Sequence, residues 1–252
     1  MITFSEDNIF LVTGASSGLG KATSLELNKL GAKVIAVGRN TETLNEVKNI
    51  SSFPNNIYLE EFDFNHTEKI SIFLKDIIKK YGKINGIAHF AGIGKLYPLR
   101  ATSLEILKEI FELNFFSSYE IVRVMNDKRF KNPDEFSIVL TSSISSIRSF
   151  EGLSAYGMSK GAVNSIVVSS ALELAKNNVR INSILPGHIE TNMTNDLAEL
   201  QSEEYKREII ESYPLGEGSP EDVAKLTTFL LSNSSKWITG QNIVVDGGRT
   251  LL

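Results

Sequence analysis

The sequence predicts an α/β protein built on a mostly parallel sheet with helices on both faces. Three observations carry this. Seven short apolar runs recur along the chain, segments of helical period lie between them, and a glycine-rich turn follows the first run directly. Strands buried on both faces read as near-continuous apolar stretches. Strand–helix–strand repetition is the pattern of a parallel sheet with crossover helices.

The runs are IFLVTG from Ile9, KVIAVG from Lys33, IYLEEF from Ile57, INGIAHF from Ile84, FSIVLTS from Phe136, VRINSIL from Val179 and NIVVDG from Asn242. Between the third and fourth, Ile70, Phe73, Leu74, Ile77, Ile78 and Tyr81 form one helical stripe. After the fourth, a second stripe runs Leu107, Ile110, Phe111, Ser118, Ile121, Val122 and Met125, with Asn114 in phase. No linker, low-complexity tract or internal repeat interrupts the pattern. A single domain over residues 1–252 is expected, with a substrate lid around 190–215.

Composition narrows the function classes. The 252 residues are 42% hydrophobic, enough for one large core. The net charge is −4 with both signs interspersed, so no nucleic-acid partner is expected. The absence of cysteine removes disulfides, thiolate metal sites and cysteine nucleophiles. His66, His89 and His188 lack zinc-site spacing, so no metal is expected. No apolar run approaches the roughly 18 residues of a membrane span. The first twelve residues carry Glu6 and Asp7 and no basic residue, unlike a secretory signal. A cytoplasmic protein is the expectation.

The first run leads straight into TGASSGLGKA, in which Gly14, Gly18 and Gly20 have GxxxGxG spacing. Glycines there permit a tight turn and close backbone approach to a pyrophosphate. The helix that follows offers free N–H groups and the positive end of its dipole. At the end of the second run, where a carboxylate would hold a ribose 2′-hydroxyl, stand Gly38 and Arg39. A guanidinium suits a 2′-phosphate. NADP(H) is therefore the preferred cofactor, with NAD(H) also accommodated. Ser17 supplies no second basic contact.

SAYGMSKGAV places Tyr156 and Lys160 four apart, on one helix face. A lysine cation beside a phenol favours phenolate and lowers its pKa. Tyr156 could then protonate a carbonyl oxygen or deprotonate an alcohol, while Lys160 holds ribose hydroxyls. Ser142 or Ser143, at the C-terminal edge of the fifth strand, could orient the substrate carbonyl. Asn114 is either a core amide satisfied by backbone or the holder of a water in a proton relay.

Taken in order, TGASSGLG, Asp63, Asn114, Ser143, YGMSK, PGHIET at 186–191 and ITGQNIVVDGG resemble the short-chain dehydrogenase/reductase family from end to end. The resemblance implies a Rossmann-type doubly wound three-layer α/β/α sandwich with a seven-stranded parallel sheet in the order 3-2-1-4-5-6-7. It implies a catalytic tetrad of Asn114, Ser143, Tyr156 and Lys160. Ser143 is the matching serine because it lies thirteen residues before the tyrosine. The implied cofactor contacts are Gly14, Ser16, Ser17, Gly18, Leu19 and Gly20 in the loop, then Arg39, and Asp63 with Phe64 beside the adenine. They continue through Ala91, Gly92, Tyr156 and Lys160 to Pro186, Gly187, Ile189 and Thr191 on the nicotinamide side. A homotetramer packed through the helices of Asn114 and Tyr156 is implied too.

Length and ending resemble the 3-oxoacyl-[acyl-carrier-protein] reductases. Sugar, polyol and small-ketone oxidoreductases share the skeleton, so the expected partner is a small carbonyl or alcohol, thioester-bound in the first case. The deciding residues lie in 93–100, 144–154 and 190–215. A catalytically idle dinucleotide sensor would be marked by loss of Tyr156 or Lys160, and both are present. One departure stands out: Phe90-Ala91-Gly92 replaces the family's Asn-Ala-Gly, removing amide bonds that tie the sheet centre together. His89 and His188 are expected to be structural or substrate-shaping, and KRFK at 128–131 a solvated helix end.

Overall fold

The computed structural model describes residues 2–132, 135–189, 191 and 211–252. All seven apolar runs become strands: β1 (Ile9–Thr13), β2 (Lys33–Gly38), β3 (Ile57–Glu61), β4 (Gly86–His89), β5 (Phe136–Thr141), β6 (Val179–Pro186) and β7 (Asn242–Val245). They form one parallel sheet in the order β3-β2-β1-β4-β5-β6-β7. Among the described residues the α-helices are α1 (Gly18–Lys29), α2 (Thr41–Asn49), α3 (Ile70–Tyr81), α4 (Leu104–Phe111), α5 (Ser117–Met125), α6 (Ser154–Ala175) and α7 (Pro220–Leu231).

Period-two alternation along the strands splits the core in two. Leu11, Ile35, Ile87, Ile138 and Ile181 pack with the apolar residues of α3, α5 and α6. Phe10, Val12, Val34, Ala36 and Val139 face the other way, toward Leu27, Leu44, Val223 and Leu230 from α1, α2 and α7. The chain winds outward from β1 in one direction and from β4 in the other. A crevice therefore opens at the C-terminal ends of these two strands, where ligands bind in such sheets.

Two expectations need correction. The stripe through Asn114 is not one regular helix: α4 and α5 are joined by a π-helical turn, Glu112–Phe116. The hydroxyls of Ser117 and Ser118 reach back to the carbonyls of Leu113 and Asn114. The KRFK segment is not wholly solvated either. Lys128 and Arg129 are exposed, but Lys131 forms a bridge to Ile84 and is 1% exposed. Its ammonium donates to the Asn177 carbonyl at 2.9 Å, and burial lowers its pKa to about 8.

Most of the expected lid, residues 190 and 192–210, lies outside the described residues. Of the rest, Tyr213 is buried against Ile144 and Leu185, and its hydroxyl accepts the His188 N–H at 2.8 Å.

Candidate active site

The cofactor loop leaves β1 through Gly14, whose φ of +62° favours glycine. A Cβ on Gly20 would lie 2.2 Å from the Gly14 carbonyl oxygen, so only glycine lets α1 pack this close to the strand. Ser17 occupies the N-cap of α1 without a side-chain capping bond, and the first turn holds no acidic residue. The bare helix N-terminus suits a pyrophosphate. These features fit a dinucleotide.

Gly14, Ser16, Ser17, Gly18, Leu19 and Gly20 all line one cleft. Arg39 stands exposed at its edge and makes no hydrogen bond or ion pair among the described residues. Asp63 and Phe64 line the same cleft beyond β3, with the Asp63 carboxylate oriented by the backbone and side-chain amides of Asn65 at 3.0 and 2.9 Å. Ala91 and Gly92 form the wall beyond β4, and Pro186, Gly187, Ile189 and Thr191 the wall beyond β6. Gly38, Phe62, Phe90, Ile93, Leu113 and Thr141 also line it. Sequence motifs did not single these out as contacts, because their places depend on how strand ends converge.

At the far end the tetrad candidates come together. Ser143 and Ser142 separate clearly in role. The Ser142 hydroxyl is spent on the Lys160 carbonyl at 2.9 Å, whereas Ser143 Oγ accepts the Ser145 N–H at 3.1 Å and lies near enough to the Tyr156 phenol to favour its ionised form. The Lys160 ammonium lies 5.8 Å from the centre of the Tyr156 ring and donates to the Thr141 carbonyl at 2.8 Å. Asn114 stands behind Gly92, where an added Cβ would lie 3.0 Å from Asn114 Oδ1 and 3.4 Å from Lys160 Nζ. Asn114 Oδ1 accepts the Ile93 N–H at 2.8 Å, and Nδ2 donates to the Ile93 carbonyl and Ser159 hydroxyl, both at 3.0 Å.

The phenol's titration differs from expectation. Burial raises the Tyr156 pKa, with the Ser143 hydroxyl opposing it, and Lys160 exerts no resolved pull. Lys160 is itself 5% exposed, and withdrawal from water lowers its pKa to about 8. In the structure desolvation outweighs the attraction that adjacency on a helix suggests.

The missing amide at Phe90 is replaced by another device. The Thr13 hydroxyl bonds the N–H groups of Phe90 and Ala91, each at 3.0 Å, and His89 Nδ1 at 2.8 Å. His89 Nε2 bonds the Ser117 hydroxyl at 2.9 Å. His89 is buried, and desolvation, aided by the Lys160 charge, lowers its pKa to about 3. It is structural, as expected. His188 points instead to Glu217, with Nε2 3.2 Å from the carboxylate.

The segments 93–100 and 144–154 meet: the Tyr97 N–H donates to the Gly152 carbonyl at 2.9 Å, and Leu96 packs against Gly152.

The chain is similar to known proteins over most of its length. A family profile described as enoyl-(acyl carrier protein) reductase matches residues 14–250. The 3-oxoacyl-[acyl-carrier-protein] reductase FabG of Thermotoga maritima is 34% identical over 245 residues, covering 96% of this chain and 98% of the relative. The L-rhamnose 1-dehydrogenase (NAD(P)(+)) of a Sphingomonas species is 30% identical over 247 residues, covering 96% of both chains. A short-chain type dehydrogenase/reductase structure from Mycobacterium ulcerans superposes with a TM-score of 0.89 at 31% identity, covering 99% of this chain and 92% of that one.

Proposed function

Since the chain belongs to the short-chain dehydrogenase/reductase family, whose members are NAD(P)-using oxidoreductases of alcohol and carbonyl groups, we propose that it reduces a 3-oxoacyl thioester with NADPH. The observation that carries the chemistry is the convergence of Ser143, Tyr156 and Lys160 at one end of the cleft. In this reading the whole chain is one dinucleotide-binding domain.

The bound nicotinamide supplies the hydride. Ser143 and Tyr156 hold the substrate carbonyl between two hydroxyls. Tyr156 gives its proton to the carbonyl oxygen, and the raised phenol pKa keeps that proton in place at neutral pH. Lys160, a cation below about pH 8, holds the ribose hydroxyls and stabilises the phenolate left behind. Asn114 fixes the backbone of Ile93 and so the wall facing Lys160. The loop from Gly14 to Gly20 holds the pyrophosphate, Asp63 and Phe64 flank the adenine, and Arg39 takes the 2′-phosphate. Pro186, Gly187, Ile189 and Thr191 line the nicotinamide.

A polar substrate, sugar or polyol, is the second reading. It is favoured by the L-rhamnose 1-dehydrogenase relative and by the charged Arg100 and Glu151 on segments 93–100 and 144–154, whereas the Arg148 guanidinium donates to the Leu252 carbonyl. A homotetramer is proposed as well. Phe116 and Tyr119, by the start of α5, are 43% and 46% exposed, and Val168 and Leu172 on α6 are 57% and 82% exposed. These apolar faces are where a second copy would pack. Among the described residues no helix is long and apolar enough to cross a membrane. The cytoplasm is the proposed compartment.

The test is absorbance-monitored oxidation of NADPH and of NADH with an acetoacetyl thioester. Rapid oxidation of NADPH and little of NADH is expected. No oxidation of either, with turnover of a sugar or polyol instead, would replace the thioester reading by the second.

A further inference from the structure

The bonds around His89 have a direction. Thr13 Oγ1 accepts from two backbone N–H groups, those of Phe90 and Ala91. That uses both lone pairs of a hydroxyl. Its proton is left for the third neighbour, so His89 Nδ1 is an acceptor and the ring carries its proton on Nε2. Nε2–H therefore donates to the Ser117 hydroxyl, and the Ser117 proton goes to the Leu113 carbonyl. One hydrogen-bonded path thus runs from the Ala91 wall of the cleft, through the end of β1 and the end of β4, into the π turn. Thr13, His89 and Ser117 are all buried, at 0%, 2% and 0% exposure.

The path ends beside Asn114. A π turn takes carbonyls out of their ordinary pairing four residues on. Here the hydroxyls of Ser117 and Ser118 take up two of them, on Leu113 and Asn114. Among the described residues the Ser118 hydroxyl has no second hydrogen-bond partner, whereas Ser117 is held from behind by the imidazole.

We propose that His89 is a positioning residue. Its Nε2–H holds the Ser117 hydroxyl on the Leu113 carbonyl, which fixes the π turn and sets Asn114 against Ile93, Gly92 and Lys160. The proposal rests on the reading of Asn114 as part of the catalytic site. A histidine that merely filled volume against Phe64, whose ring lies 5.3 Å away, would not need a fixed proton or a serine partner.

The test is a double-mutant cycle of Ser117→Ala and Asn114→Ala, reading kcat, KM and the NADPH dissociation constant with an acetoacetyl thioester. Ser117→Ala is expected to lower kcat about tenfold through misplacement of the turn, with NADPH affinity kept within about twofold. The double variant is expected to be no slower than Asn114→Ala alone. Multiplying effects, or a Ser117→Ala kcat like wild type beside an impaired Asn114→Ala, would overturn the proposal alone. An unimpaired Asn114→Ala would overturn the catalytic reading of Asn114 and the proposal with it.

A second measurement needs neither variant nor substrate. ¹⁵N NMR of the His89 ring in the wild-type protein should show the Nε2–H form, unchanged between about pH 7.5 and 5. The other tautomer, or titration within that range, would overturn the assignment.

Discussion

Replacing Thr13 by valine keeps the side-chain shape and removes one hydroxyl. Three groups lose their partner at once: the N–H groups of Phe90 and Ala91 and the Nδ1 acceptor of His89. A buried polar group left unpaired costs about 1–3 kcal/mol. Phe90 and Ala91 border the cleft, where water reaches part of their surface, so their share falls at the low end. The sum is about 3–5 kcal/mol, a large part of the roughly 5–15 kcal/mol that holds a domain together. Thr13→Ser is the control. It keeps the hydroxyl and loses one methyl, a cost of about 1 kcal/mol. Equilibrium urea unfolding of both variants, at one protein concentration because association adds to apparent stability, measures the difference. A valine variant within about 1 kcal/mol of the serine variant would refute the claim that this hydroxyl ties the sheet centre.

Other consequences concern the cofactor and pH. Gly20→Ala puts a Cβ 2.2 Å from the Gly14 carbonyl oxygen, where the neighbour is backbone and cannot swing aside. NADPH affinity by fluorescence titration should fall at least about 100-fold through loss of the pyrophosphate cradle. Arg39→Ala should weaken NADPH about 10- to 100-fold, the worth of a charge-assisted contact, and leave NADH unchanged. Equal loss for both would remove Arg39 as the 2′-phosphate ligand. His89 has a folded pKa of about 3 against an ordinary 6.5. Between those values the unfolded chain binds a proton that the folded chain refuses. The stability His89 permits is complete above about pH 6.5 and is lost as pH falls toward about 3, at no more than about 1.4 kcal/mol per pH unit. A His89 variant that still folds should show a shallower acid limb in unfolding experiments. An identical limb would contradict the buried, proton-refusing imidazole.

The strands were legible because parallel strands buried on both faces write their burial as continuous apolar runs. IFLVT and FSIVLT are clear cases, and each lies in the sheet where its run predicts. The cofactor loop was legible for a related reason: its demands on backbone fall on glycines a few positions apart. The π turn was not legible. Asn114 keeps phase with Phe111 and Ser118 by count, and the extra residue per turn leaves no mark when serines absorb the freed carbonyls. Lys131 was misread because a charged residue in a basic run gives no sign that a bridge to Ile84 will draw it inside. The replacement for the missing amide at Phe90 was hidden by distance, since Thr13 and His89 are 76 positions apart and a bond between such residues has no period. Adjacency also overstated the Tyr156–Lys160 coupling, because sequence spacing does not report how strongly each group is withdrawn from water.

The central claim is that Tyr156 moves the proton. It is tested most directly by measuring turnover and NADPH binding of Tyr156→Phe beside wild type, on the carbonyl substrate that wild type reduces fastest. Loss of general acid catalysis predicts a fall in turnover of about 10²- to 10⁴-fold, with NADPH affinity within about threefold of wild type. Turnover preserved within about threefold would contradict the assignment of Tyr156 as proton donor.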